Sequence, residues 1–318
     1  KSNGIFDNWV SPYDFQSKAL TKQDLQVLKQ EDSSFIFNRF LEILRHNVVS
    51  DKPNAFNKIF TLFLCKIVDE YSKNEDDQLD FQWIEGEDNH IKFQKRLTDL
   101  YRKGMRELLE KKVTDVSDDE FDLRFQQVDE KYRDEIKDIL TTIRLKKNNE
   151  FAIKEVYDDT SFEENAKVVK EVVELLQVYQ IRYNYRQQFL SDFFELLLTT
   201  GLKQESGQFF TPVPIARFII KSLPLPEITA KKIAAGNKND LLPTIIDYAA
   251  GSGHFLTESM EEVQKYIDNV DEKGLTPTTK RAVKKWKEDQ FDWAEQYVYG
   301  IEKDYRLVMT AKVSCYLH

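Results

Sequence analysis

The 318-residue sequence carries 46 Lys+Arg against 55 Asp+Glu, a formal charge of −9, with 41% hydrophobic and 13% aromatic residues. That length admits two domains, and the share of aromatic and aliphatic residues excludes wholesale disorder. No apolar run approaches the ~20 residues a membrane helix needs, so no membrane is expected as a partner. The acidic balance excludes a protein that grips nucleic acid through a broadly basic surface.

The cysteines, Cys65 and Cys315, and the histidines, His46, His90, His254 and His318, show no ligand spacing, so neither a disulfide framework nor a metal site is expected. With no initiator methionine and no basic-then-apolar leader, the sequence reads as a piece of a protein of the reducing cytoplasm. Residues 206–318 hold 15 basic and 15 acidic residues, so the whole charge deficit lies before them.

Up to about Lys203 glycine and proline are nearly absent and apolar residues recur every three or four positions, which predicts an all-helical domain over residues 1–205. Phe35, Phe37, Phe40, Leu41 and Leu44 form one helical stripe, and Phe56, Ile59, Phe60, Phe63, Leu64, Ile67 and Val68 a second. Residues 74–90, rich in Glu, Asp and Asn, read as a loop excursion. From Asp115 to Glu150 charges dominate over a rough helical period that includes Phe121, Tyr132, Ile139 and Ile143. Ser161 and Glu164 fit a capping box opening a helix with Val168, Val169, Val172, Val173 and Leu176 on one face. Gln187–Thr200 is a further apolar helix ending at Gly201.

From Ser206 onward glycine, proline and short apolar runs appear, and the segments alternate as helix, strand, helix, strand, helix. This predicts an α/β unit with a parallel sheet over residues 206–318. Thr211 with Pro212 behind it reads as an N-cap and first helical residue. Thr244 to Leu256 is an apolar strand running into Gly251-Ser252-Gly253 and then a helix. The two glycines let backbone approach a ligand, and the helix offers free N–H groups at its positive end. Asp247 at the strand end suits a cationic head group. A dinucleotide turn needs a third small residue where Leu256 stands. Tyr297 to Ile301 reads as a second strand ending at Glu302, where nucleotide-binding folds place the acid for ribose hydroxyls. Asp304 reads instead as a helix cap. Residues 271–290 form an insertion between the two motifs, and five basic residues within Lys280–Lys287 surround Trp286. That basic segment reads as a solvated helix face, with phosphate contact or base stacking as the competing reading.

Gly207-Gln208-Phe209-Phe210-Thr211-Pro212, then Asp247-Tyr248-Ala249-Ala250-Gly251-Ser252-Gly253-His254-Phe255, then Gly300-Ile301-Glu302-Lys303-Asp304 stand in this order. So arranged, they resemble the N6-adenine DNA methyltransferases, in particular the modification subunits of type I restriction-modification systems and their single-chain restriction-methylation relatives. The resemblance implies α + α/β architecture: the helical domain followed by the first part of a Rossmann-like, S-adenosylmethionine-dependent methyltransferase domain. It implies that Phe209 and Thr211 line the methionine part of the cofactor, that Asp247, Ala249, Gly251 and Gly253 lie under it, and that Glu302 holds its ribose. Tyr248, Ala250 and His254 depart from the common family form. Such enzymes hold the flipped adenine with an Asn-Pro-Pro-aromatic motif. None of the eight prolines here adjoins another, so no catalytic residue is assigned and these residues alone are expected not to methylate. The implied partners are DNA, a target-recognition (specificity) subunit or domain, and a fused or associated restriction nuclease. Two other readings compete: a non-catalytic DNA-binding or assembly module, and a dinucleotide-binding oxidoreductase.

Overall fold

A computed structural model of the chain describes residues 19–28, 30–109, 118–147, 149–181 and 211–317. The chain divides into two compact units, Lys1–Asn184 and Tyr185–His318. The expected helix at 187–200 and the compositional step near residue 205 lie outside the described residues.

In the first unit, helices α1 (Gln30–His46), α2 (Lys52–Ser72), α3 (His90–Glu107), α4 (Asp118–Arg124), α5 (Glu130–Lys147) and α6 (Asp159–Gln177) accompany a two-residue parallel pair, β1 (Gln26–Val27) with β2 (Tyr179–Gln180). The α2 stripe is confirmed from Ile59 to Val68, all buried against α3. In α1 the stripe is shifted by a residue: Phe35 is 58% exposed, while Ile36, Phe37, Phe40, Ile43 and Leu44 turn inward. Phe37, Phe40 and Leu44 already define that face, and Phe35 falls beside it at 100° per residue. The N-cap of α6 is Asp158, which accepts from Ser161 N at 2.8 Å while Ser161 Oγ receives Asp158 N. Ser161 is thus the inner partner of the box, and Glu164 pairs with Lys154 at 2.5 Å instead. The valine face of α6 is buried as the spacing requires. The charged stretch forms two helices, α4 and α5, whose Tyr132, Ile139, Leu140 and Ile143 are exposed.

Residues 74–89 are no loose excursion. Leu79, Phe81, Gln82 and Ile84 are buried, and the loop is nailed to α2 by Asp69, whose Oδ2 accepts from Asp80 N at 2.8 Å and Phe81 N at 2.7 Å. Arg96 on α3 clasps Asp88 through both nitrogens of its fork, at 2.5 and 2.6 Å. Acidic residues that look solvated in the sequence therefore serve as acceptors for loop amides. Beside Asp69, Lys66 and Glu70 form an ion pair across one turn of α2 at 3.0 Å, with side chains only 1% and 2% exposed. Glu70 also accepts from Ile181 N at 3.2 Å. Removing one member would strand a charge in the core, a loss of about 3–5 kcal/mol.

In the second unit, α7 (Val213–Lys221) and α8 (Leu225–Ala235) precede β3 (Ile245–Asp247). Then come α9 (His254–Asn269), α10 (Pro277–Glu288), α11 (Ala294–Tyr297), β4 (Val298–Gly300) and α12 (Tyr305–Leu317). The strands β3 and β4 run parallel in the register Ile245↔Val298, Ile246↔Tyr299, Asp247↔Gly300. The observed order carries the expected alternation, although each strand is only three residues long. The central helix is α9, which touches α7, α8, α10, α12 and both strands. Its Met260, Val263 and Ile267 enter a core with Leu242, Val283, Trp286, Trp293 and Tyr297. The insertion at 271–290 contributes α10 to this core, where Gln264 Nε2 donates to Trp286 O at 3.0 Å and Trp293 Nε1 donates to Gln264 Oε1 at 2.7 Å. The start of α7 differs by one residue from expectation: Pro212 is the N-cap, Pro214 stands inside the first turn, and no side chain caps the helix. Among the described residues no helix is long and apolar enough to cross a membrane, and no group of His, Cys, Asp and Glu is placed to hold a metal ion.

Burial pushes the Asp69 carboxyl up to about 6, against the two loop amides that favour its anion. Between pH 4 and 6 the folded state then holds a proton that the unfolded chain, with an ordinary carboxyl, has lost, so this group's contribution to stability falls as pH rises. Asp69→Asn keeps an acceptor for the loop and does not titrate. Its thermal midpoint relative to wild type should rise between pH 4 and pH 8; a flat difference would show that Asp69 does not titrate in this window.

Candidate functional site

The site is built where β3 and β4 end. Ile301 N donates to Asp247 O at 2.8 Å and Ala250 N to Ile301 O at 3.0 Å, so the two chain exits remain paired beyond the strands. Gly251 and Gly253 adopt φ of 53° and 86°, in the left-handed region where a side chain is strained. Gly253 is the N-cap of α9, and a Cβ there would lie 3.2 Å from Ala311 Cβ of α12. At Gly251 the nearest atom to such a Cβ is Ala249 O at 3.9 Å, so the space is open. Gly300 is required for a different reason: a Cβ would meet Leu256 Cδ1 at 2.9 Å and Ala250 Cβ at 3.1 Å. Leu256, at the position a dinucleotide turn reserves for a small residue, is buried and packs on Gly300.

Asp247 Oδ1 accepts from Ala249 N at 3.0 Å, whereas Asp247 Oδ2 is buried without a hydrogen-bond partner. Such an atom costs free energy unless something completes it. Glu302 is half-buried and joins two loops: Oε2 accepts from Gly251 N at 2.9 Å and Oε1 from Asp304 N at 2.8 Å. A ligand hydroxyl at Glu302 would use the lone pairs these amides leave over. Asp304 directly precedes α12, and its carbonyl accepts from Val308 N at 3.0 Å.

Thr211 is brought to the glycine turn by His254, the first residue of α9, whose Nδ1 lies 3.0 Å from Thr211 O. One turn on, Glu258 takes a two-point hydrogen bond from Arg217 of α7, at 2.8 and 3.1 Å. The structure thus assembles Thr211, Asp247, Ala249, Gly251, Gly253 and Glu302, while Phe209 lies outside the described residues. Sequence reasoning missed both His254 and the Arg217–Glu258 pair. The arginine at 217 and the acid at 258 each sit at an inward position of an amphipathic helix, and that misplaced charge was the available signal.

The basic segment is a solvated helix face on which Lys280 and Arg281 are exposed and three lysines stand beside acids. Lys284 pairs with Glu288 at 3.9 Å, Lys285 with Asp292 at 2.6 Å and Lys287 with Glu272 at 3.5 Å. Trp286 is buried in the core, where it cannot stack on a base.

Two acids around a glycine turn suit a ligand that carries a cation and hydroxyl groups, while the bare N-terminus of α9 offers N–H donors to an acceptor on the same ligand. Residues 185–318 match the family model described as N-6 DNA Methylase. No curated protein matches the chain. The N-6 DNA methylase match contains every residue of the site just described and ends with the chain, while the helical unit before Tyr185 falls outside it.

Because Gly253 faces Ala311 and Gly251 faces open space, Gly253→Ala should cost about 2–3 kcal/mol by denaturant unfolding, combining steric contact with φ strain. Gly251→Ala should cost about 1 kcal/mol from φ strain alone. Equal losses would mean that Ala311 gives way freely.

Proposed function

We propose that residues 185–318 bind S-adenosylmethionine within a Rossmann-like domain of an N6-adenine DNA methyltransferase of a restriction-modification system. The observation that carries this reading is the buried, unpartnered Asp247 Oδ2 at the mouth of a glycine turn. An unsatisfied carboxylate oxygen is complementary to a cation, and the N-6 DNA methylase match supports a cationic methyl donor as that ligand. S-adenosylmethionine supplies a methyl group on a positively charged sulfur. In this reading Asp247 receives the cationic amino acid head, and the first-turn amides of α9 with Ala249, Gly251 and Gly253 lie under the ligand. Glu302 accepts from the ribose hydroxyls with its remaining lone pairs, and Thr211 with Phe209 borders the methionine part. The 318 residues hold no Asn-Pro-Pro-aromatic motif, so we expect them to bind the methyl donor and not to transfer methyl groups alone.

DNA is the proposed substrate of the whole enzyme, in the cytoplasm, with a target-recognition subunit or domain and an associated nuclease as proposed partners. Acids beside three of the five basic residues of α10 lower the net charge that this helix offers to DNA phosphates. A second reading is a non-catalytic DNA-binding or assembly module, against which the acidic balance of the helical unit counts. The oxidoreductase reading is disfavoured by Leu256, which packs where a dinucleotide turn needs a small residue.

Calorimetric titration of the chain with S-adenosylmethionine and, separately, with nicotinamide dinucleotides tests the proposal. We expect saturable binding of the first and none of the second. Asp247→Asn, which keeps the acceptor for Ala249 N, should weaken binding at least about tenfold, or 1.4 kcal/mol. Silence toward S-adenosylmethionine, or equal affinity for a dinucleotide, would overturn the assignment.

A further inference from the structure

We infer that His254 is a positioning residue: its imidazole, held by α9, fixes Thr211 and the start of α7 at the edge of the cofactor turn. The inference rests on the binding reading above for its functional consequence, though the tie itself does not.

A carbonyl oxygen only accepts, so the 3.0 Å contact between His254 Nδ1 and Thr211 O requires the proton on Nδ1. That requirement holds in both the neutral and the cationic ring. The tie spans 43 residues of chain and joins a residue directly after Gly253 to the residue directly before the N-cap of α7. Val213 and Ala216 bury the inner side of the start of α7, but its first amides have no side-chain cap. Pro212 is its N-cap, proline occupies the first turn again at 214, and no side chain satisfies its free amides.

His254 and Glu258 stand four residues apart and therefore share a face of α9. Glu258 is 1% exposed and grips Arg217 through both oxygens. That face thus grips α7 in the interior through Glu258 and the segment ahead of α7 at the site through His254. The interior pair sets the distance between the helices, and His254 sets where the segment ahead of α7 begins. A ligand that needs Thr211 in place would otherwise bear the cost of ordering it, which appears as lost affinity.

The test uses the full 318-residue chain as wild type, His254→Asn and His254→Leu. Asparagine can place an amide N–H near the position of Nδ1; leucine fills similar space with no donor. In free protein, hydrogen exchange at the Ile215 and Ala216 amides, which bond to Pro212 O, reports the start of α7. We expect the leucine variant to exchange there at least about fivefold faster and to bind S-adenosylmethionine about tenfold more weakly. The asparagine variant should stay within about twofold of wild type in both. His254→Ala replaces the leucine variant should that fail to fold.

Loss of affinity in both variants with unchanged exchange would overturn the inference in favour of direct contact between His254 and the ligand. Unchanged exchange and affinity in both would overturn it outright. Failure of wild type to bind S-adenosylmethionine would sink the binding reading and the proposed effect on affinity, while the exchange comparison would still decide whether His254 holds Thr211.

Discussion

The hydrogen bonds that cross between the exits of β3 and β4 organise the second unit. Ile301 N to Asp247 O, Ala250 N to Ile301 O and Gly251 N to Glu302 continue the parallel pairing past the last strand residues and pull two loop tips together. With that junction closed, Gly253 must turn left-handed to start α9, Gly300 must lack a Cβ to admit Leu256, and α12 must approach as near as Ala311 allows. The site is the small space left by these constraints. Its two acids serve different ends: Glu302 is already engaged in holding the loops, and Asp247 keeps one oxygen in reserve.

Much of this could be read from the amino acids because the signals are local. The apolar run before Asp247, the Gly-x-Gly turn and the helical spacing after it dictate a strand, a bend and a helix wherever they occur. Likewise the Val168–Leu176 face of α6 and the Ile59–Val68 face of α2 follow from periodicity alone. Long-range choices could not be read the same way. That Glu302 meets Gly251 N, 51 residues earlier, depends on two loops converging, and nothing at either position announces it. Phe35 looks as apolar as Phe37 yet faces water, since a stripe read by eye is wider than the face that packs. Trp286 looks like a stacking residue amid lysines, but the helix that carries it turns the ring into the core, with Lys285 and Lys287 beside neighbouring acids.

The helical unit shows the same limit from another side. Its acidic loop at 74–89 has the composition of a solvated excursion, but Asp69 and Arg96 bind it from α2 and α3 through specific acceptors and donors. Composition measures how many polar groups a segment has and is silent about how many are satisfied by the fold. Lys66 and Glu70, buried together beside Asp69, put charge in the interior of this unit. A hydrophobic core would hold the helices equally well; an ion pair in the same place restricts the arrangements of α2 to those that keep both charges partnered.

The register of the small sheet bears on how the chain is made. Ile245 pairs with Val298, and 50 residues separate the end of β3 at Asp247 from the start of β4, all of which must be synthesised before the partner strand exists. A hairpin can close as soon as it is translated, but this pair cannot. During that interval α9 and then α10 emerge, and both pack on the core that β3 helps to build. The parallel pair can therefore form only after the helices between its strands have been made.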